Sequence, residues 1–150
     1  MKEIYYTYNN EAIACCIFLN ILQEIEPIDI ARSCLILPFL LDDKTVAYLQ
    51  KNISADLDLG DFIKSQPRLF ISFNKRYQAL LPISINALII LNKSNQISID
   101  SNISMKNDIL QSIISLGNRL EQINEVIPSF ITLIEKYTTT QLYQLLKIQL

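Results

Sequence analysis

Two glycines in 150 residues set the first limit on what this chain can fold into. Sandwiches and barrels with many strands turn at glycine and proline, and five prolines beside two glycines leave few such turns. The apolar half of the chain is aliphatic instead, with 26 Ile and 22 Leu. Ile13, Ile17, Ile21 and Ile25 recur at i, i+4, which predicts a helix opening at an Asn9 or Asn10 cap and stopping at Pro27. The expectation is a mainly α protein, a single helical domain over residues 1–150 with no internal repeat or linker.

Further along, Asp29 is placed to cap an apolar segment over 30–41, kinked at Pro38. Its run Leu35-Ile36-Leu37-Pro38-Phe39-Leu40-Leu41 is apolar on every side, the pattern of a helix in the middle of a core. Asp42-Asp43 open a short helix to about residue 52, and the polar stretch 54–60 is expected as a loop. A helical pattern over 61–81 follows, with Pro67 in the first turn of a new helix. Pro82 is expected to separate it from a second compact helix over 83–92. The period then changes. Residues 96–106 alternate apolar and polar around Ser101-Asn102, as in a short β-hairpin. Asp108 opens a helix to about residue 123, Pro128 interrupts the next, and Thr138-Thr139-Thr140 cap a last one ending near Leu150.

Helix, turn at Pro82, helix and hairpin over about 61–106 is the order of a winged helix. Such an element commonly reads DNA with its second helix, yet Ile83-Ser84-Ile85-Asn86-Ala87-Leu88-Ile89-Ile90-Leu91 holds no Lys or Arg to meet phosphate or guanine. Packing against protein suits it better. A winged-helix transcriptional regulator that binds DNA is the second reading.

The chain carries little catalytic equipment. It has no histidine, which removes Ser-His, Cys-His and His-metal chemistry. Gly60 and Gly117 stand alone, so neither a phosphate loop nor a dinucleotide fingerprint is present. Asp42 and Asp43 suit a helix cap, and Asp56, Asp58 and Asp61 a solvated loop. Cys15, Cys16 and Cys34 lie in apolar segments without metal-ligand spacing and are expected as packing groups. No enzymatic activity, catalytic residue, cofactor or metal is expected.

Thirteen basic against 15 acidic residues leave a net charge of −2, without the basic excess of a module that holds nucleic acid alone. Lys64, Arg68 and Lys75 share one helical face by spacing, Arg76 adjoins them, and Lys93 and Lys106 flank the hairpin. These six are candidate DNA contacts within a larger complex, or else a solvated helix face. Tyr5, Tyr6 and Tyr8 are candidate partner anchors, with packing on the chain's own core as the alternative. No run reaches the roughly 20 apolar residues of a membrane span, and the first residues lack a signal-peptide pattern, so a cytoplasmic protein is expected. Mean hydropathy is nevertheless +0.24. A large core or a covering partner accounts for that surplus.

Tyr8-Asn9-Asn10-Glu11-Ala12, the core segment 35–41 and Gln78-Ala79-Leu80-Leu81-Pro82-Ile83 together resemble the small middle component of three-component ABC-ATPase systems, bacterial conflict operons that overlap Lamassu-type anti-phage defence. Glu11 stands where that family tends to have proline, Asp43-Lys44-Thr45 where it has Lys-Pro-Thr, and Leu146-Lys147-Ile148 where it has Leu-Gly-Val. The resemblance implies an accessory subunit without enzymatic activity, docked at the heads of an SMC/Rad50-like ATPase. It also implies an effector subunit, nuclease-type or otherwise toxic, and DNA met through the complex. It transfers no functional residue.

Overall fold

The computed structural model describes residues 9–106 and 117–150. The first helix, α1 (Glu11–Glu24), begins where Asn10 accepts hydrogen bonds from the Ala12 and Ile13 amides at 3.0 and 3.3 Å. Those are two of the amides that no helix can satisfy internally. Ile13, Ile17 and Ile21 are buried as the spacing predicts.

The segment expected as one kinked helix over 30–41 is two helices. Two residues of strand, β1 (Ile28–Asp29), lead into α2 (Ile30–Ser33), and α3 (Ile36–Leu40) follows. The break falls at Cys34-Leu35, upstream of Pro38. There the Ser33 hydroxyl donates to the Ile30 carbonyl at 2.6 Å, and the Leu35 amide turns back to the Arg32 carbonyl at 3.0 Å. A continuous helix would press the Pro38 ring against the Cys34 carbonyl. With the break in place, Pro38 stands in the first turn of α3, where a missing N–H costs nothing. Leu35, Ile36, Leu37, Phe39 and Leu40 are all fully buried, as expected of an apolar segment without a polar face.

Asp42 caps α4 (Asp43–Lys51), accepting from the Thr45 amide at 3.1 Å and the Thr45 hydroxyl at 2.6 Å. The expected loop 54–60 ends early, because Asp58 caps α5 (Leu59–Ser65). Gln66 precedes a proline and is pushed out of helical geometry. Pro67 then starts α6 (Pro67–Phe70), as predicted.

Pro82 does not separate two helices. A single helix, α7 (Phe73–Lys93), runs through it. Pro82 and Gln78, the residue whose carbonyl loses its helical partner, both lie on the exposed face. The buried stripe Phe73, Tyr77, Leu80, Ser84, Ala87, Leu88 and Leu91 continues past the proline at helical spacing. The helix-turn-helix of a winged helix is therefore not formed at this position. Pro128 is likewise exposed within the continuous α8 (Asn118–Glu135). The expected start of that helix at Asp108 lies outside the described residues.

The hairpin forms as β2 (Ile97–Ile99) and β3 (Asn102–Met105). Asn95, in left-handed geometry at φ 61°, ends α7, with the Gln96 amide donating to the Leu91 carbonyl at 3.0 Å. The small sheet has a third strand that periodicity did not reveal. Antiparallel β1 pairs with β3, Ile28 opposite Ile103, giving the order β1-β3-β2. Ile28, Ile97 and Ile103 bury its inner face.

Thr138 and Gln141 form a capping box on α9 (Thr139–Leu145), which ends earlier than expected. This end of the chain closes on residues 29–32. Thr139 donates to Asp29 at 2.6 Å, Arg32 donates to Thr139 Oγ1 and to the Tyr137 carbonyl, and Tyr143 donates to the Ala31 carbonyl at 2.7 Å. At the centre, α1 packs on α7 and α8, and α3 packs on α7 and α4. Phe39 meets Phe73 and Phe130 with ring centres 4.9 and 5.2 Å apart.

Candidate functional site

The C-terminal end of α3 leaves carbonyls that the helix cannot satisfy. Two arginines from distant segments reach them. Arg76, in the first turn of α7, donates through Nε to the Pro38 carbonyl at 3.1 Å and through Nη1 to Ser72 Oγ at 2.9 Å. Its guanidinium lies 5.1 Å from the centre of the Phe73 ring and 4.0 Å from Asp42. Arg119, at the start of α8, donates to the Leu41 carbonyl at 3.1 Å and to Asn9 Oδ1 at 2.7 Å, and pairs with Asp43 at 3.2 Å. Cations at a helix C-terminus also suit its dipole.

These residues form the wall of an open cleft of about 840 Å³. Asp42, Asp43 and Lys44 at the start of α4 line one side, Arg68, Leu69, Ser72 and Arg76 of the α6–α7 corner another, and Arg119 and Gln122 of α8 the third. Leu41 and Asn9 complete it. Four basic side chains face two acidic ones, a local positive excess within a chain of net charge −2. The lining offers guanidinium and ammonium donors for a carboxylate or phosphate.

The six candidate DNA contacts do not assemble into one ridge. Lys64, Arg68 and Lys75 were expected on one helical face but sit on α5, α6 and α7, separated by the breaks at Gln66 and at Ile71-Ser72. Lys64 and Lys75 are exposed, Arg68 is exposed at the cleft mouth, and Arg76 is turned inward with only 13% of its side chain accessible. Lys93 lies 18 residues beyond Lys75 along α7, about 27 Å away at 1.5 Å per residue. Lys106 is at the same far end, donating to Asn95 Oδ1 at 3.2 Å. Tyr5, Tyr6 and Tyr8 lie outside the described residues. Spacing along the sequence missed Arg119 and Lys44. Gly117, with φ 94°, is the N-cap of α8, and Arg119 stands in the first turn of that helix.

The acidic candidates are structural. Asp42 and Asp58 cap helices, Asp43 pairs with Arg119, and Asp56 with Lys136 at 3.0 Å. Asp58 is a cap rather than a loop residue, and Asp61 lies inside α5. The Tyr137 hydroxyl, 2.6 Å away, holds the Asp58 carboxyl below its ordinary range. Cys15 and Cys16 are half-buried and Cys34 is buried. Burial raises all three thiols, Cys15 to about 11, which suppresses the thiolate a nucleophile needs. Among the described residues, no group of three His, Cys, Asp or Glu is placed to hold a metal ion, and no helix is long and apolar enough to cross a membrane.

The family model of ABC-three component (ABC-3C) system Middle Component 3 matches residues 2–149. The chain belongs to this family. Searches of curated proteins and of solved structures found no match. As a middle component, the chain is an accessory part of a three-component ABC system. The three stretches that carried the resemblance are framework in this middle component: Asn10 caps α1, residues 35–41 hold α3, and Leu80 and Ile83 are buried in α7.

Proposed function

We propose that this middle component is an accessory subunit without enzymatic activity that docks at the heads of a large SMC/Rad50-like ABC ATPase in a bacterial anti-phage system of the Lamassu type. It works in the cytoplasm and helps couple DNA sensing by the ATPase to a nuclease-type or otherwise toxic effector in the same assembly. The family match over residues 2–149 carries this reading. The cleft supports it, because its charged lining suits an ionic partner. DNA is met through the complex, with the exposed lysines Lys64, Lys75, Lys93 and Lys106 adding minor phosphate contacts. Their spread over α5, both ends of α7 and the hairpin, with a net charge of −2, gives the free chain little hold on a duplex. Tyr5, Tyr6 and Tyr8 are proposed as anchors to a partner. The continuous α7 takes away the turn that a winged-helix regulator needs.

Co-expression with the neighbouring ABC component, followed by affinity capture and size exclusion, tests the proposal. A stable complex is expected, with ATP turnover assigned to the ABC component and none to the middle component alone. Nanomolar duplex binding by the free chain in about 0.15 M salt, where exposed charges are largely screened, would instead favour the regulator.

A further inference from the structure

The cleft between α4, the α6–α7 corner and α8 has three properties of a protein-docking site. First, Arg76 and Arg119 are held by the Pro38 and Leu41 carbonyls, by Ser72 and by Asn9, so their positive charge is fixed in place before anything binds. Second, Lys44 and Arg68 line the cleft and are exposed, so an incoming group can reach them. Third, the lining is amphipathic. Leu41 and Leu69 contribute apolar surface, and outside the lining Ile71, 85% exposed, stands between Leu69 and Ser72 of the wall in sequence, at the α6–α7 corner. A lone exposed isoleucine is ordinary, whereas one beside a basic cleft supplies the apolar contact that charged rims lack.

We propose that this cleft receives an acidic segment of another component of the same three-component system, with carboxylates meeting the exposed Arg68 and Lys44 in front of the fixed arginine wall and an apolar side chain resting on Ile71. The inference rests on the accessory-subunit reading and deepens it by naming the surface and the partner's chemistry. Nucleic acid fits the cleft less well. Asp43, 82% exposed, and Asp42 alternate with the cations in the wall, a mixed pattern that a backbone of uniform negative charge does not match. A peptide can set amides or a lysine opposite them and a carboxylate opposite the exposed guanidinium of Arg68, where bidentate pairing is strongest.

The test uses the full chain co-expressed with the other two components. Wild type is expected to assemble, with affinity falling as salt rises. Arg68→Glu, Lys44→Glu and Ile71→Asp are each expected to weaken capture about tenfold, and the Arg68→Glu/Lys44→Glu pair about a hundredfold. Lys93→Glu at the far end of α7 should leave capture unchanged. Carbodiimide treatment of the wild-type complex, which joins an amine to a carboxylate in contact with it, should link Lys44 to an Asp or Glu of the partner. That readout does not depend on how the variants fold. Capture of the double variant within about twofold of wild type, without a Lys44 cross-link, overturns the inference and leaves the accessory reading intact. Variants that keep the partner and lose only duplex DNA overturn it in favour of a nucleic-acid contact. Failure of the wild type to assemble with either component removes the accessory reading and this inference together.

Discussion

Pro38 and Pro82 each lie inside an aliphatic run, with opposite results. The run around Pro38 is buried on all sides, and the chain abandons the helix at Cys34-Leu35 before restarting it. The run around Pro82 has an exposed face, and α7 continues with the proline on that face. The two residues impose the same local penalty, a lost donor and a ring against the carbonyl four residues back. What differs is where that carbonyl lies. On the solvent side of α7 it can be hydrated, whereas inside the core an unpaired carbonyl is expensive. In this chain the helix breaks where burial would leave that carbonyl without a donor and continues where water can supply one.

The largest effect should separate the two regions outright. Phe39→Ala, beside Pro38, is expected to lower the unfolding free energy by about 3–5 kcal/mol, and Ile85→Ala on the outer face of α7 by less than about 0.5. Urea titration measures both, and comparable losses would mean that the outer face is buried in solution. Exchanging the prolines sharpens the comparison by sign. Pro82→Ala restores a helical donor on an exposed face and should stabilise by about 1–3 kcal/mol, less a few tenths regained by the freer unfolded chain. Pro38→Ala removes a buried ring that needed no donor and should destabilise by about 1–2 kcal/mol. Two changes of the same sign would break the explanation. The smallest effect is a baseline remote from both prolines. Tyr137 lowers the folded-state pKa of Asp58, so the pair stabilises the fold above the carboxyl's unfolded pKa and loses that contribution as pH falls through the lower folded value. Tyr137→Phe should therefore lower the melting temperature slightly at neutral pH and flatten its dependence on pH on the acid side, below about pH 4.

Caps were legible in the sequence because their chemistry is local. Asn10, Asp29, Asp42 and Thr138 each reach an amide two or three residues on, and each was readable from its own neighbours. The burial of 35–41 was legible too, since a segment without a polar face has nowhere else to go. The proline outcomes were not, because they depend on which side of a helix the rest of the molecule covers. Nor was β1: two residues become a strand only because Ile103 lies opposite Ile28. Of the cleft, Arg68 and Arg76 stood out by charge. Arg119 did not, because its partners Leu41 and Asn9 are 78 and 110 residues away.

The closure of the C-terminal segment on residues 29–32 has a consequence in time. Arg32 finds Thr139 across 107 residues of chain. At ribosomal speeds of 5–20 residues per second, that separation is a wait of roughly 5–20 s. During it, Asp29 and Arg32 have each other but not the hydroxyl and carbonyls that complete their bonding, and strand β1 has no β3 to pair with until residue 103 emerges. The earliest apolar segments of the chain, α1 and α3 among them, are therefore made well before the elements that cover them. That surface stays uncovered for seconds on a growing chain, and a chain cut short of α9 should be cleared by proteolysis sooner than its missing length alone would suggest.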